Sequence, residues 1–207
     1  MIKQTVNMND LNIYENNSFS FELYKNTVDK FLKTDWREVI IQNIVIIPLL
    51  DTLCINNKDI SIIDTSLQYK NKDTDIHDLS KYRSMKVGSA PPDVLVSKNW
   101  NYNNRNSKEI KYLSIIEIKS PLIDPIYNKD NSEYTGHTQH EIKYHLEACS
   151  KVILTDSFRW HFFDRKGKSE FNETIIDLYD KEKGAWKTKI ESNDDFIIEK
   201  SEFEEVR

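Results

Sequence analysis

Glycine and proline are scarce in this 207-residue chain, at 4 and 5 residues, which excludes collagenous or linker-type sequence. Cys54 and Cys149 are the only cysteines, too few for a disulfide scaffold, and each reads as a buried free thiol. A phosphate-cradling glycine loop is missing, so ATP use is not expected. No nucleophile elbow supports a Ser-His-Asp arrangement. The opening residues, MIKQTVNMNDLNIYENN, lack the apolar core of a signal peptide. Val39 to Leu50 is strongly apolar, but Gln42, Asn43 and Pro48 interrupt it, and it is too short to span a bilayer. These absences lead to the expectation of a soluble, cytoplasmic protein with no membrane partner. An excess of positive charge is also lacking. The net charge is -5, which is awkward for gripping a polyanion, although the distribution of charge decides that matter.

What is present is a globular but polar mixture, 38% hydrophobic and 30% charged, long enough to bury a real core. Acidic residues gather at the end (Glu191, Asp194, Asp195, Glu199, Glu202, Glu204, Glu205). Basic ones lie mid-chain: Lys81, Arg83 and Lys86, then Lys98, Arg105, Lys108 and Lys111. They read equally as a basic face or as a solvated, mixed-sign surface. Trp100 and Tyr102, near Arg105, have the composition of a base-stacking loop.

Periodicity divides the chain into an N-terminal arm (1–20), a main domain (21–180) and a polar acidic C-terminal extension (181–207). Phe21, Tyr24, Val28, Phe31 and Leu32 recur at helical spacing. A second helix is expected from Trp36 through Asn43, kinking or ending near Pro48. Strands are expected at 60–67, 93–97, 111–119, 152–155, 160–163 and 174–179, with a helix over 138–151 and an edge strand or helix around 196–198. This order fits an α/β fold with a mixed central β-sheet flanked by helices.

The chemistry-bearing pattern is Pro92-Asp93, followed about two dozen residues later by Glu117-Ile118-Lys119 at the end of an apolar run. Alternate strand residues share a face. Leu113, Ile115, Glu117 and Lys119 should therefore point one way, and Tyr112, Ser114, Ile116 and Ile118 the other. Two carboxylates and an ammonium converging on one spot can hold a hard divalent cation and orient water. A zinc site at His137, His140 and Cys149 lacks a second cysteine pair and finger spacing.

The stretches Ala90-Pro91-Pro92-Asp93-Val94-Leu95-Val96 and Ile115-Ile116-Glu117-Ile118-Lys119-Ser120-Pro121 resemble the PD-(D/E)xK nuclease superfamily, the restriction-endonuclease-like fold. Lys151 to Phe163, where a strand ending in Thr155-Asp156 turns into a Trp160-containing strand, is similar to a segment of restriction-modification nuclease domains. The resemblance spans roughly 36–164. It implies a restriction-endonuclease-like core and Mg²⁺-dependent hydrolysis of DNA phosphodiesters, with Mn²⁺ as an alternative cation. The setting it implies is restriction, phage defence or mobile-element biology, in a homodimer or larger complex. Asp93 and Glu117, with the Ile118 carbonyl, would bind the metal, and Lys119 would orient or activate water and stabilise developing charge.

Glu38 matches the glutamate that many members place on the helix before the sheet, but Asp35 to Glu38 equally reads as a capped helix start. Related nucleases carry Gln with Tyr four residues later. Here Gln139 lies five before Tyr144 and His140 four before it, so these three are substrate-contact candidates with imperfect spacing. The rival reading is a catalytically inactive nucleic-acid-binding or assembly protein that keeps the fold.

Overall fold

Among the described residues, short runs rich in β-branched and aromatic side chains build an eight-stranded sheet in which every strand lies beside its neighbour in sequence. The computed structural model describes residues 21–65, 92–100, 109–121, 126, 134–167, 171–192 and 197–199. The expected arm at 1–20 lies outside these, as do Lys81, Arg83, Lys86, Tyr102, Arg105 and Lys108, and the acidic Asp194, Asp195, Glu202, Glu204 and Glu205. The strands are β1 (Ile60–Asp64), β2 (Val94–Lys98), β3 (Lys111–Ile118), β4 (Lys151–Thr155), β5 (Arg159–Arg165), β6 (Phe171–Asp180), β7 (Ala185–Ser192) and β8 (Ile197–Glu199). β3 and β4 pair in parallel and every other neighbouring pair is antiparallel, so the sheet is mixed. The stretch expected to be a polar extension supplies β7 and β8. Among the described residues, no helix is long and apolar enough to cross a membrane.

Helices cover the two faces unequally. On one face lie α1 (Phe21–Thr34) and a continuous helix made of α2 (Glu38–Ile41), a π-helical turn (Gln42–Ile46) and α3 (Ile47–Cys54). Their Leu23, Val28, Ile41, Val45 and Ile46 bury against Val94, Ile116, Ile118 and Trp160. On the other face α4 (Gly136–Ala148), the crossover between β3 and β4, buries Ile142 and Leu146 against Leu95, Ile115, Leu154 and Phe163. Parallel strands require such a crossover, and a helix fills it. Thr135 caps α4, its hydroxyl accepting from the Thr138 amide at 3.3 Å.

Two local features depart from the periodicity. Pro48 does not end the helix. It sits in the first turn of α3, where a missing amide costs least, and the π turn before it shifts the hydrogen-bond ladder. In β3, Val96 of β2 pairs with Ser114 while Ser97 pairs with Tyr112, leaving Leu113 as the extra residue of a bulge. The bulge turns Tyr112 onto the face of Ile115, where it packs against the cluster that Ile115 belongs to. Strict alternation had put Tyr112 on the opposite face. Beyond the bulge the alternation runs as expected to Ile118.

The β4–β5 turn is tied across the sheet to α1. Ser157 there has φ 71°, and the Tyr24 hydroxyl donates to its carbonyl at 2.6 Å. Trp160 Nε1 donates to the same hydroxyl at 3.2 Å, and burial pushes the Tyr24 pKa well up. Tyr24→Phe leaves a buried carbonyl and an indole N–H without this partner. It is expected to cost about 1–3 kcal/mol, read by urea denaturation.

Candidate metal and hydrolytic site

At the end of β3 the backbone leaves the apolar core, and charged side chains gather there. The Lys119 amide donates to the Thr155 carbonyl at 2.9 Å, extending the parallel pairing one residue past Ile118. The Thr-Asp end of β4 thus fixes where Lys119 starts. Thr155 is itself held, its hydroxyl donating to the Arg159 carbonyl at 2.9 Å and accepting from the Ser157 amide at 3.0 Å. Glu117 and Lys119, two residues apart, lie on one side as expected, with Lys119 Nζ 2.9 Å from Glu117 Oε1. Ile118 is fully buried in the opposite cluster.

Asp93 precedes β2 and is positioned from three directions. Its Oδ2 accepts from the Ile118 amide at 2.7 Å, which brings it against the Glu117-Ile118-Lys119 segment. Its carbonyl accepts from the Thr65 amide at 3.1 Å and from the buried Gln42 side chain at 3.4 Å. Gln42 opens the π turn, so the irregular helix reaches the site through it.

Glu38 enters from the other helical layer. The residue before α2 is Arg37, and no side chain caps that helix; Asp35 forms a bidentate pair with Arg37 instead. The Glu38 carboxylate accepts from the Ser120 amide at 3.2 Å, next to Lys119, while Ser120 Oγ donates to the Trp36 carbonyl at 2.8 Å. The capping-box arrangement is therefore not formed, and Glu38 faces the end of β3.

Helix α4 adds two site residues that the sequence reading passed over. Glu141 Oε2 lies 2.8 Å from Lys119 Nζ, and His145 Nε2 lies 3.1 Å from Glu117 Oε2. Both side chains are almost fully buried. His137, one turn before Glu141 and 65% exposed, reaches Glu141 Oε1 at 3.0 Å and forms the solvent end of the chain of contacts. His137, Glu141 and His145 recur every four residues and stack along one side of the helix. That repeat was the signal available in the sequence.

Gln139, His140 and Tyr144 take other positions. His140 and Tyr144 pack edge to face with ring centroids 4.2 Å apart. Gln139 and His140 are exposed and line a cavity of about 590 Å³ with Lys143, Phe163, Arg165 and Phe171. The described contacts do not bring these three candidates to the acidic cluster. The helix phase that points Glu141 at Lys119 turns positions 139 and 140 away.

Electrostatics separates the roles. Among the described residues, Glu38, Asp93, Glu117 and Glu141 gather around one ammonium, Lys119. Desolvation is the main cause lifting Asp93 to about 8, reinforced by the neighbouring Glu117 and Glu38 charges. Desolvation likewise lifts Glu117 to about 8, with Glu141 and Glu38 adding to it and Lys119 opposing. Desolvation works against the charge on Lys119, but its two carboxylate partners outweigh it and hold the pKa well above the usual lysine range. Burial lowers His145 to about 4, so its imidazole is neutral at neutral pH.

An all-oxygen set with surplus negative charge, part of it buried, suits a hard divalent cation in donor chemistry. Asp93, Glu117 and the Ile118 carbonyl are the residues that could hold it, with Glu38 alongside. Among the described residues, no three His, Cys, Asp or Glu side chains already form a ready ligand group. Lys119 occupies the place between Glu117 and Glu141, so a cation that takes Glu117 must share or displace that contact.

Set against protein families, curated proteins and solved structures, the chain matches none.

Proposed function

We propose that the protein is a Mg²⁺-dependent nuclease of the PD-(D/E)xK type that hydrolyses DNA phosphodiesters, and that its α/β sheet is a restriction-endonuclease-like core. The observation that carries this reading is the meeting of Asp93 from one strand with Glu117 and Lys119 from its neighbour, joined by the 2.7 Å bond from the Ile118 amide to Asp93. Bound Mg²⁺ supplies Lewis-acid polarisation of a phosphate oxygen and a lowered water pKa. Asp93, Glu117 and the Ile118 carbonyl would hold the cation, and Mn²⁺ would take the same oxygens. Glu38, whose charge acts on both Asp93 and Glu117, would add negative charge to the site. Lys119 orients the attacking water and stabilises the charge that develops on the phosphate. The core shields these charges from bulk water on one side, which strengthens each interaction.

DNA is the substrate that the resemblance favours. A cytoplasmic role in restriction, phage defence or a mobile element follows from the same reading. A homodimer would set two sites against the two strands of a duplex, and a larger complex with a basic partner would supply positive charge that a chain of net charge -5 lacks.

One observation favours a second reading. Both Glu117 oxygens and the Lys119 ammonium are engaged within the protein, as in a self-compensated structural cluster. On that reading the protein binds or assembles and does not cut. Incubation with supercoiled, linear and single-stranded DNA in Mg²⁺, Mn²⁺ or EDTA separates the two. Metal-dependent cutting is expected. DNA left intact under every metal condition would remove the nuclease reading.

A further inference from the structure

We infer that helix α4 supplies two positioning residues to the site: His145, which holds the Glu117 carboxylate, and Glu141, which holds the Lys119 ammonium. This inference rests on the proposed metal-dependent reading.

Glu117 and Lys119 lie at the end of β3, where the backbone is still paired to β4 but the long side chains reach beyond the apolar core toward α4. Two contacts orient the Glu117 carboxylate, with Oε1 2.9 Å from Lys119 and Oε2 3.1 Å from His145 Nε2. The second comes from a buried imidazole on α4, whose Nε2 lies within hydrogen-bond distance of Oε2 and so fixes where that oxygen points.

Glu141 solves the complementary problem. A divalent cation on Glu117 weakens that carboxylate as a partner for Lys119. A buried ammonium that loses its partner is strongly disfavoured. Glu141 Oε2, 2.8 Å from Nζ, keeps the ammonium charged and placed beside the cation. At this distance the Glu141 contact is as short as the one from Lys119 to Glu117, 2.9 Å, so Glu141 can hold the ammonium on its own. Without Glu141 the lysine must stay on Glu117 and compete for it. Both residues are set in place by the helix that carries them, because Ile142 and Leu146 of α4 are buried in the core.

The test uses the full chain with Glu141→Gln, Glu141→Asp, His145→Leu and His145→Gln. Mg²⁺ and Mn²⁺ binding is measured by calorimetry, and DNA cleavage is followed against Mg²⁺ concentration. Glu141→Gln and His145→Leu should raise the half-saturating Mg²⁺ about 10–100-fold, the range for residues that orient metal ligands. His145→Gln keeps an N–H donor, and Glu141→Asp keeps a carboxylate, so each should recover part of the loss. A merely structural role would lower thermal stability and leave the Mg²⁺ dependence of the folded fraction unchanged. Unchanged metal binding in folded Glu141→Gln and His145→Leu overturns the inference. If the wild type binds Mg²⁺ but cuts no DNA, the nuclease reading falls while the binding comparison still decides the positioning roles. If the wild type binds neither cation, both fall.

Discussion

Asp93→Asn is expected to abolish metal-dependent cleavage and at the same time to stabilise the metal-free protein above about pH 8. The amide keeps an oxygen for the Ile118 N–H, so the 2.7 Å bond that places residue 93 survives. What disappears is a charge that Glu117 and Glu38 repel. Cleavage should fall by about 10²–10³-fold or more, the scale for losing one preorganised electrostatic contributor. The opposite movement of stability distinguishes a functional carboxylate from a structural one, because sites that gather like charges do so at the expense of the fold. The gain is small below pH 8, where Asp93 in the metal-free protein already carries a proton, and it grows above. Thermal melts in EDTA across pH, paired with a cleavage assay, check both halves.

The second large effect concerns Mg²⁺ and pH together. In the unfolded chain Asp and Glu ionise near pH ~4. In the folded protein desolvation holds Asp93 and Glu117 to about 8. Between these values the folded protein binds more protons than the unfolded one. The metal-free protein should therefore lose stability as pH rises through this window and level off above it. Mg²⁺ must displace those protons, so its apparent affinity should rise about tenfold per pH unit for each proton released, until pH passes 8. The Mg²⁺-induced rise in melting temperature is thus expected to be slight near pH ~6 and large near pH ~8.5. A Mg²⁺ effect of equal size across that range would mean that these carboxylates are not the ligands.

The legible part of the site was the part governed by strand alternation. Ile116 and Ile118 had to enter the core, so Glu117 and Lys119 had to share the other side, and they lie 2.9 Å apart. Pro92 and Asp93 opened the neighbouring strand. Tyr112 was misplaced because a bulge leaves no compositional mark; a single extra residue at Leu113 reverses every side chain before it. Glu38 could be a cap or a site residue in one dimension, and its bond to Ser120, 82 positions away, shows its direction.

Glu141 and His145 were hidden for a different reason. On an amphipathic helix a polar residue beside the apolar stripe usually meets solvent, and nothing local says that a buried lysine waits opposite. The expected glutamine-tyrosine spacing drew attention to Gln139, His140 and Tyr144, a rotation away from the face that meets Lys119. β7 was missed because its residues, beginning Ala185-Trp186-Lys187, are too polar for an apolar strand signal, yet Trp186 packs on Phe21 and its Nε1 donates to Asp29 at 2.8 Å.

The most direct measurement is the single-turnover cleavage rate of wild type and Lys119→Met on the same DNA at saturating Mg²⁺, with metal binding followed in parallel. Methionine fills much of the lysine volume, and Glu117 and Glu141, freed of the ammonium, can take up protons or the cation. The account predicts that Lys119→Met folds, binds Mg²⁺ at least as well as wild type, and cuts about 10²–10³-fold more slowly. Equal cleavage rates in the two proteins would contradict it.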